Sequence, residues 1–78
     1  MPGLATNDEL NRLRSLDGDP RDRLFLQLMT RHHQGALPMA HFAAHNAGTT
    51  AVRTLATQIE VQQLEELGVM AMLQQQHP

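Results

Sequence analysis

Histidine and methionine side chains are concentrated between residues 28 and 45, in the sequence LMTRHHQGALPMAHFAAH. This stretch contains four of the five histidines of the chain and two of its five methionines. Imidazole and thioether groups together suit Cu(I) or Ag(I), whereas imidazole alone suits Cu(II) or Zn(II). The pattern therefore predicts either a metal site on a helix or a helix face that is merely rich in His and Met.

A helix turns by about 100° per residue, and this rotation divides the cluster into two sets. One set lies on or beside an apolar stripe and consists of Met29, His32, His33 and Met39. The stripe itself consists of Phe25, Met29, Ala36, Ala40, Ala43 and Ala47. The other set, His41 and His45, falls on the opposite side, where it could chelate only a surface ion such as Zn(II) or Ni(II). The first set is the predicted metal site.

The last third of the chain offers further ligands. Its main apolar stripe consists of Val52, Leu55, Ile59, Met70 and Leu73. Gln63 and Glu66 lie within this stripe, and polar groups on a core face need partners. Antiparallel pairing of two helices would bring a buried Glu66 to His32 or His33, with Gln63 and Met70 nearby. Glu66 and Met70 therefore complete the predicted metal set.

A second interpretation needs no metal ion. In it, Met29 and Met39 fill gaps in the core, and His32 forms a hydrogen bond with Glu66. Both interpretations use the same packing of the helices, so the spacing of these residues leaves them open.

Three helices are expected from the capping signals. Thr6 and Glu9 form a capping-box pattern ahead of a short helix. Asp19 and Pro20 suit the start of a long second helix, kinked at Pro38 and ended by Gly48. A third helix, capped by Thr49 or Thr50, should run to about residue 75. No alternation typical of strands occurs, so the chain is predicted to be all-α, with a short leading segment (1–18) and a hairpin domain (19–78).

The composition excludes several classes of protein. The net charge of −2 provides no basic surface for nucleic acid, and there is no cysteine for disulfides or thiolate sites. No apolar run is long enough to span a membrane, and the first residues lack the features of a signal peptide. No Glu is followed three residues later by His, as a di-iron bundle requires, and no activated nucleophile is evident. We therefore expect no enzymatic activity.

The core of such a small chain should be incomplete. Only 3% of the residues are aromatic, and 78 residues are near the lower limit for a self-sufficient core. Val61, Leu64 and Met72 lie off the main stripe of the third helix, so this helix is apolar on more than one side. A homodimer of two hairpins, forming a four-helix bundle, would cover both sides.

The sequences LFLQLMTRHHQGALPMA and IEVQQLEELGVM resemble the bacterial domain-of-unknown-function family 305, over about residues 19 to 76. The shared positions are Met29, His32, His33, Ala36, Met39, Ala40, Gln63, Glu66 and Met70. The resemblance implies a ferritin-like helical bundle outside the cytoplasm, and copper binding through Met and His, which some members show. The resulting hypothesis is a non-enzymatic copper-binding protein with copper as its one cofactor. The alternative is a structural or interaction bundle with a His–Glu network and no physiological metal.

Overall fold

A computed structural model describes residues 3–77, which form three helices. Helix α1 is Asn7–Ser15, α2 is Gly18–Asn46 and α3 is Thr50–Gln76. Residues 3–77 contain no strand. The long helices α2 and α3 pack against each other, and α1 packs against α2. The predicted all-α hairpin with a short leading helix is therefore confirmed.

The capping box of α1 forms as the sequence predicts. Thr6 Oγ1 accepts a hydrogen bond from the Glu9 amide at 3.1 Å, and Glu9 Oε1 accepts one from the Thr6 amide at 2.9 Å. Arg31 of α2 donates to both Glu9 carboxylate oxygens, at 2.6 and 2.8 Å. The same carboxylate therefore starts α1 and attaches it to α2.

The ends of α2 differ from the prediction. The helix begins at Gly18, with Asp17 rather than Asp19 as its N-cap residue. Pro20 tolerates this earlier start because amides in the first turn of a helix have no acceptor within it. At the other end, Ala47 is an extended C-cap, and Gly48 does not adopt a positive φ. Arg53 Nη1 donates to the Ala47 carbonyl at 2.7 Å, so a side chain satisfies this end of the helix in place of a glycine turn.

Two other predictions concern Pro38 and the start of α3. Pro38 lies inside α2 without ending it, so the helix is continuous from Gly18 to Asn46. The kink expected at Pro38 stays a prediction. Thr49 is the N-cap residue of α3, and its hydroxyl accepts a hydrogen bond from the Val52 amide at 3.2 Å. The predicted domain boundary after residue 18 falls at the first residue of α2 and stays a prediction.

Helices α2 and α3 pack through buried and half-buried residues spaced alternately by three and four positions. We call the surface formed by these residues the seam. On α2 the seam consists of Leu26, Thr30, His33, Leu37, Ala40 and Ala44. On α3 it consists of Arg53, Ala56, Glu60, Gln63, Leu67, Met70 and Gln74. Thr30 Oγ1 lies 3.9 Å from Met70 Sδ, and His33 Nε2 lies 3.5 Å from Glu66 Oε2, which fixes the antiparallel register. The α3 half of the seam is rich in polar side chains.

A second surface lies one residue, or about 100°, before each seam position, and we call it the broad face. Its α2 members are Phe25, Met29, His32, Ala36, Met39 and Ala43. Its α3 members are Val52, Leu55, Ile59, Gln62, Glu66, Val69 and Leu73. Phe25 and Leu73 line the same pocket, so both helices present these residues on the same side of the hairpin.

The predicted packing of the apolar stripes is wrong for most of their residues. In the α3 stripe only Met70 is buried, whereas Val52 is 49% exposed and Leu55 is 56% exposed. In the α2 stripe Ala40 is buried, but Phe25 is 49% exposed. Hydrophobic periodicity indicates which helix faces are apolar, but not which neighbour covers them. The stripes lie mainly on the broad face, next to the seam.

Helix α2 lies between α1 and α3, and α1 makes no contact with α3 within residues 3–77, so the helices form a single open layer. The Cα positions extend over 44 × 26 × 14 Å. α1 packs on the side of α2 that faces away from α3 and also borders the broad face, because Leu10 and Leu13 line a pocket together with Leu28, Phe25, Met29 and His32. Within residues 3–77, no helix combines the length and the apolar character needed to cross a membrane.

Candidate metal site between the seam and the broad face

His33 is the most deeply buried of the candidate ligands. It is 5% exposed. It belongs to the seam, because it is three residues from Thr30 and four from Leu37 and therefore lies on the same side of α2 as they do. Its Nδ1 atom lies 2.8 Å from the carbonyl oxygen of Met29. A carbonyl only accepts hydrogen bonds, so Nδ1 carries the proton and Nε2 of the neutral ring has a free lone pair.

The free nitrogen of His33 faces a carboxylate. Its Nε2 atom is 3.5 Å from Glu66 Oε2, and the Glu66 side chain is 60% exposed. The prediction of a contact between Glu66 and His32 or His33 therefore holds for His33, but the predicted burial of Glu66 does not. Glu66 lies on the broad face, at the edge of the seam, so water reaches one side of its carboxylate.

A buried acceptor lies one helical turn from Glu66. Gln63 Oε1 is inaccessible to solvent and has no hydrogen-bond partner in residues 3–77. Buried polar oxygens are normally paired, so this atom is suited to a cation or a water molecule that bridges to it. Gln63 thus offers an oxygen, unpaired within residues 3–77, one helical turn from Glu66.

The remaining predicted ligands are divided between the two surfaces. Met70 is buried on the seam, where its sulfur contacts the Thr30 hydroxyl. Met29 is half-buried, His32 is exposed and Met39 is 59% exposed, all on the broad face. The structure therefore brings His33 and Glu66 together. The His32 ring lies edge-on to His33 at a centroid distance of 6.1 Å, and Met29 contacts His33 through its backbone carbonyl. Met39 lies six residues further along α2.

His41 and His45 are exposed, as their helical phase predicts. Their ring centroids lie 4.5 Å apart, and His41 Nδ1 is 2.6 Å from Glu60 Oε2 of α3. The sequence did not predict Glu60 as a partner of His41. His41 lies five residues before Asn46 and Glu60 lies ten residues after Thr50, so counting equal distances from the turn would have placed Leu55 opposite His41 instead.

The strongest electrostatic effect lies next to the candidate site, at residue 9. Hydrogen bonds from the Arg31 guanidinium and from the Thr6 amide lower the pKa of Glu9 from 4.5 to about 2. The same contact raises the pKa of Arg31. Arg31 precedes His32 in α2, but its guanidinium is paired with the Glu9 carboxylate.

The geometry of His33 and Glu66 suits a divalent ion. Bonds of about 2.0–2.2 Å at a tetrahedral angle separate two ligand atoms by about 3.3–3.6 Å. The distance between His33 Nε2 and Glu66 Oε2 is 3.5 Å, which is within this range. Metal-binding histidines usually donate their second ring N–H to a carbonyl or carboxylate, as His33 does to Met29.

Comparison with known proteins agrees with the resemblance found in the sequence. The family described as domain of unknown function (DUF305) matches residues 1–74. A crystal structure described as that of a DUF305 secreted protein from Streptomyces coelicolor is similar, with 37% sequence identity and a TM-score of 0.87. The similarity covers 94% of this chain and 45% of that chain, so this chain spans less than half of that protein's length. None of the curated proteins matches. The chain belongs to the DUF305 family.

Proposed function

We propose that this chain is a non-enzymatic metal-binding protein, with copper as the ion. The observation that carries the proposal is the orientation of His33, whose Nδ1 is fixed by the Met29 carbonyl while its Nε2 faces Glu66 at 3.5 Å. Without a cation or an additional proton, a nitrogen lone pair and a carboxylate oxygen at this distance would repel each other. A metal ion between them removes the repulsion and uses both lone pairs.

Copper suits the wider set of donors in both of its oxidation states. His33 and Glu66 offer the N and O ligand types of Cu(II), with Gln63 Oε1 as a further oxygen ligand. Their separation of 3.5 Å is that of a tetrahedral site, so square-planar Cu(II) requires the exposed Glu66 carboxylate to move closer to His33 Nε2. The thioethers of Met29 and Met39, with the His32 imidazole, favour Cu(I). All three of these residues lie on the broad face, as Glu66 does.

We further propose that two copies associate through the broad face. The layer measures 44 by 26 Å, which provides room for the roughly 800 Å² per partner of a standard protein interface. The exposed large apolar residues of the broad face are Phe25, Met39, Val52, Leu55, Ile59, Val69 and Leu73. A four-helix bundle formed in this way would enclose Met29, His32, Met39 and Glu66 in its interior, where ferritin-like bundles hold their metals.

The proposed location is outside the cytoplasm. The support is the DUF305 relative from Streptomyces coelicolor, which is described as a secreted protein. Copper handling through Met and His is compatible with such a compartment, because neither donor depends on reduced cysteine.

Titration with Cu(II), and with Ag(I) as a stable substitute for Cu(I), tests the metal proposal by calorimetry and NMR. Glu66→Gln keeps the shape of the side chain and removes its charge, so Cu(II) affinity should fall about tenfold or more. Glu65→Gln is the matched control, because Glu65 is an exposed neighbour on the same helix. Met29→Leu with Met39→Leu keeps the volume nearly constant and should weaken Ag(I) binding.

The outer histidines provide the second control. His41→Gln with His45→Gln should leave the binding of Cu(II) and Ag(I) unchanged. Equal Cu(II) binding by the parent, Glu66→Gln and Glu65→Gln proteins would disprove the assignment of the ion to His33 and Glu66.

The exposed apolar broad face also favours a second candidate function, a helical interaction module without a metal. In this module the broad face binds a second copy, and the His33–Glu66 pair contributes only to packing. Self-association together with no saturable binding of Cu(II) or Ag(I) would favour this function over the metal-binding one.

A further inference from the structure

The antiparallel hairpin brings the beginning of α2 to the end of α3. Three side chains meet there, Asp19 and Asp22 from α2 and His77, the C-cap residue of α3. Each offers one donor atom, and these atoms lie within 4.8 Å of one another. The DUF305 match ends at residue 74, so it assigns no role to His77.

One ring nitrogen of His77 is buried without a hydrogen-bond partner in the described part of the chain. Its Nδ1 atom is inaccessible to solvent and makes no hydrogen bond within residues 3–77. The atom lies 3.3 Å from Asp19 Oδ1, close enough for an ion pair but without hydrogen-bond geometry. The separation is also that of two ligand atoms on one tetrahedral ion, about 3.3–3.6 Å.

A pocket adjoins the three donors. Asp22 and His77 line it together with the apolar side chains of Phe25, Leu26 and Leu73. The pocket has room for water ligands, and its apolar wall offers no competing donor. Arg21 is turned away, because its Nε donates to the carbonyl of Leu16 before α2.

We propose that Asp19, Asp22 and His77 form a second cation site, which binds a borderline divalent ion of the Zn(II) type. Two carboxylates neutralise the charge of such an ion. The imidazole adds a nitrogen ligand, which Zn(II) accepts readily and Mg(II), which prefers oxygen ligands, does not. The set contains no thioether, so it does not suit Cu(I). The bound ion links the first residues of α2 to the last residues of α3 and closes the open end of the hairpin.

A Zn(II) titration of the full chain, followed through the ring signals of His77 by NMR, tests this site. We expect the His77 signals to shift with a saturating dependence on Zn(II), and the melting temperature to rise in parallel. Asp22→Asn should weaken this response about tenfold or more, and His77→Gln should remove the rise in melting temperature. Asp8→Asn is the charge-matched control, because Asp8 is an exposed aspartate near the start of α1.

The experiment separates this site from the one proposed around His33. Glu66→Gln should retain the full Zn(II) response of His77, since Glu66 belongs to the middle of the hairpin. The proposal is overturned if Zn(II) leaves the His77 signals unchanged, or if Asp22→Asn and Asp8→Asn bind Zn(II) as the parent does.

Discussion

The Glu9 carboxylate is contacted by two separate parts of the chain. Arg31 donates to both of its oxygens, and the amide of Thr6 donates to Oε1. Both contacts favour the charged form, which lowers the pKa of Glu9 to about 2. The Thr6 contact was predictable from the capping-box spacing. The Arg31 contact was not, because it depends on how α1 docks on α2.

We predict that Arg31→Gln raises the pKa of Glu9 toward its ordinary value, because the hydrogen bond from Arg31 is the largest cause of the shift. A folded-state pKa below the unfolded value means that the carboxylate stabilises the fold above pH 4.5. This contribution is lost as the pH falls from about 4.5 to about 2. An NMR titration of the Glu9 carboxyl carbon measures the shift, with Arg12→Gln as control. An unchanged Glu9 titration in Arg31→Gln would contradict the prediction.

His33 shows the limit of prediction at the residue scale in another way. The spacing of the sequence indicated that an imidazole would meet Glu66, and the register could be inferred from the short turn after α2. The choice between His32 and His33 could not be inferred, since the two rings differ by one helical step, with His32 inside the apolar stripe and His33 on its flank. The packing of α3 decides it, by burying His33 on the seam and leaving His32 exposed.

At the scale of the helices, the sequence predicted the elements well and their contacts less well. Capping residues and the absence of strand patterns predicted three helices within a few residues of their observed ends. The apolar stripes of α2 and α3 are also real, but they lie mainly on the broad face. The seam instead combines apolar residues such as Leu26 with small and polar ones such as Ala56 and Gln63, and single-helix periodicity does not identify this mixture as a packing surface.

Gly68 and Gly3 allow a test of the helix packing through single methyl groups. A Cβ at Gly68, inside α3, meets no other atom, so Gly68→Ala should raise the free energy of unfolding by about 0.5–1 kcal/mol. Gly3 has a φ of 88°, and a Cβ there would lie 2.7 Å from the Arg31 carbonyl oxygen. Gly3→Ala should therefore be unfavourable, by roughly 1–2 kcal/mol for the backbone conformation alone. Urea unfolding measures both changes. A destabilising Gly68→Ala would indicate that another chain approaches α3 at Gly68.

At the scale of the whole molecule, the layer is too thin to enclose a core. None of the side chains in residues 3–77 is completely buried, and large apolar residues remain on the broad face. Burial of apolar area contributes roughly 25 cal/mol per Å², so covering this face is the largest gain in stability still open to the chain. A second copy can cover it with the same residues, in the symmetric manner of most homodimers.

Two leucines of α3 give a matched test of this association. Leu55 is 56% exposed on the broad face, and Leu64 is 55% exposed on the opposite side of the same helix. We predict a dimer at micromolar concentration by sedimentation, which Leu55→Lys converts to monomer because a buried lysine would lose its hydration. Leu64→Lys makes the same chemical change outside the proposed interface and should leave the dimer intact. Dissociation by Leu64→Lys alone would place the interface on the opposite face, and a monomeric parent that unfolds cooperatively would show that the layer is stable without a partner.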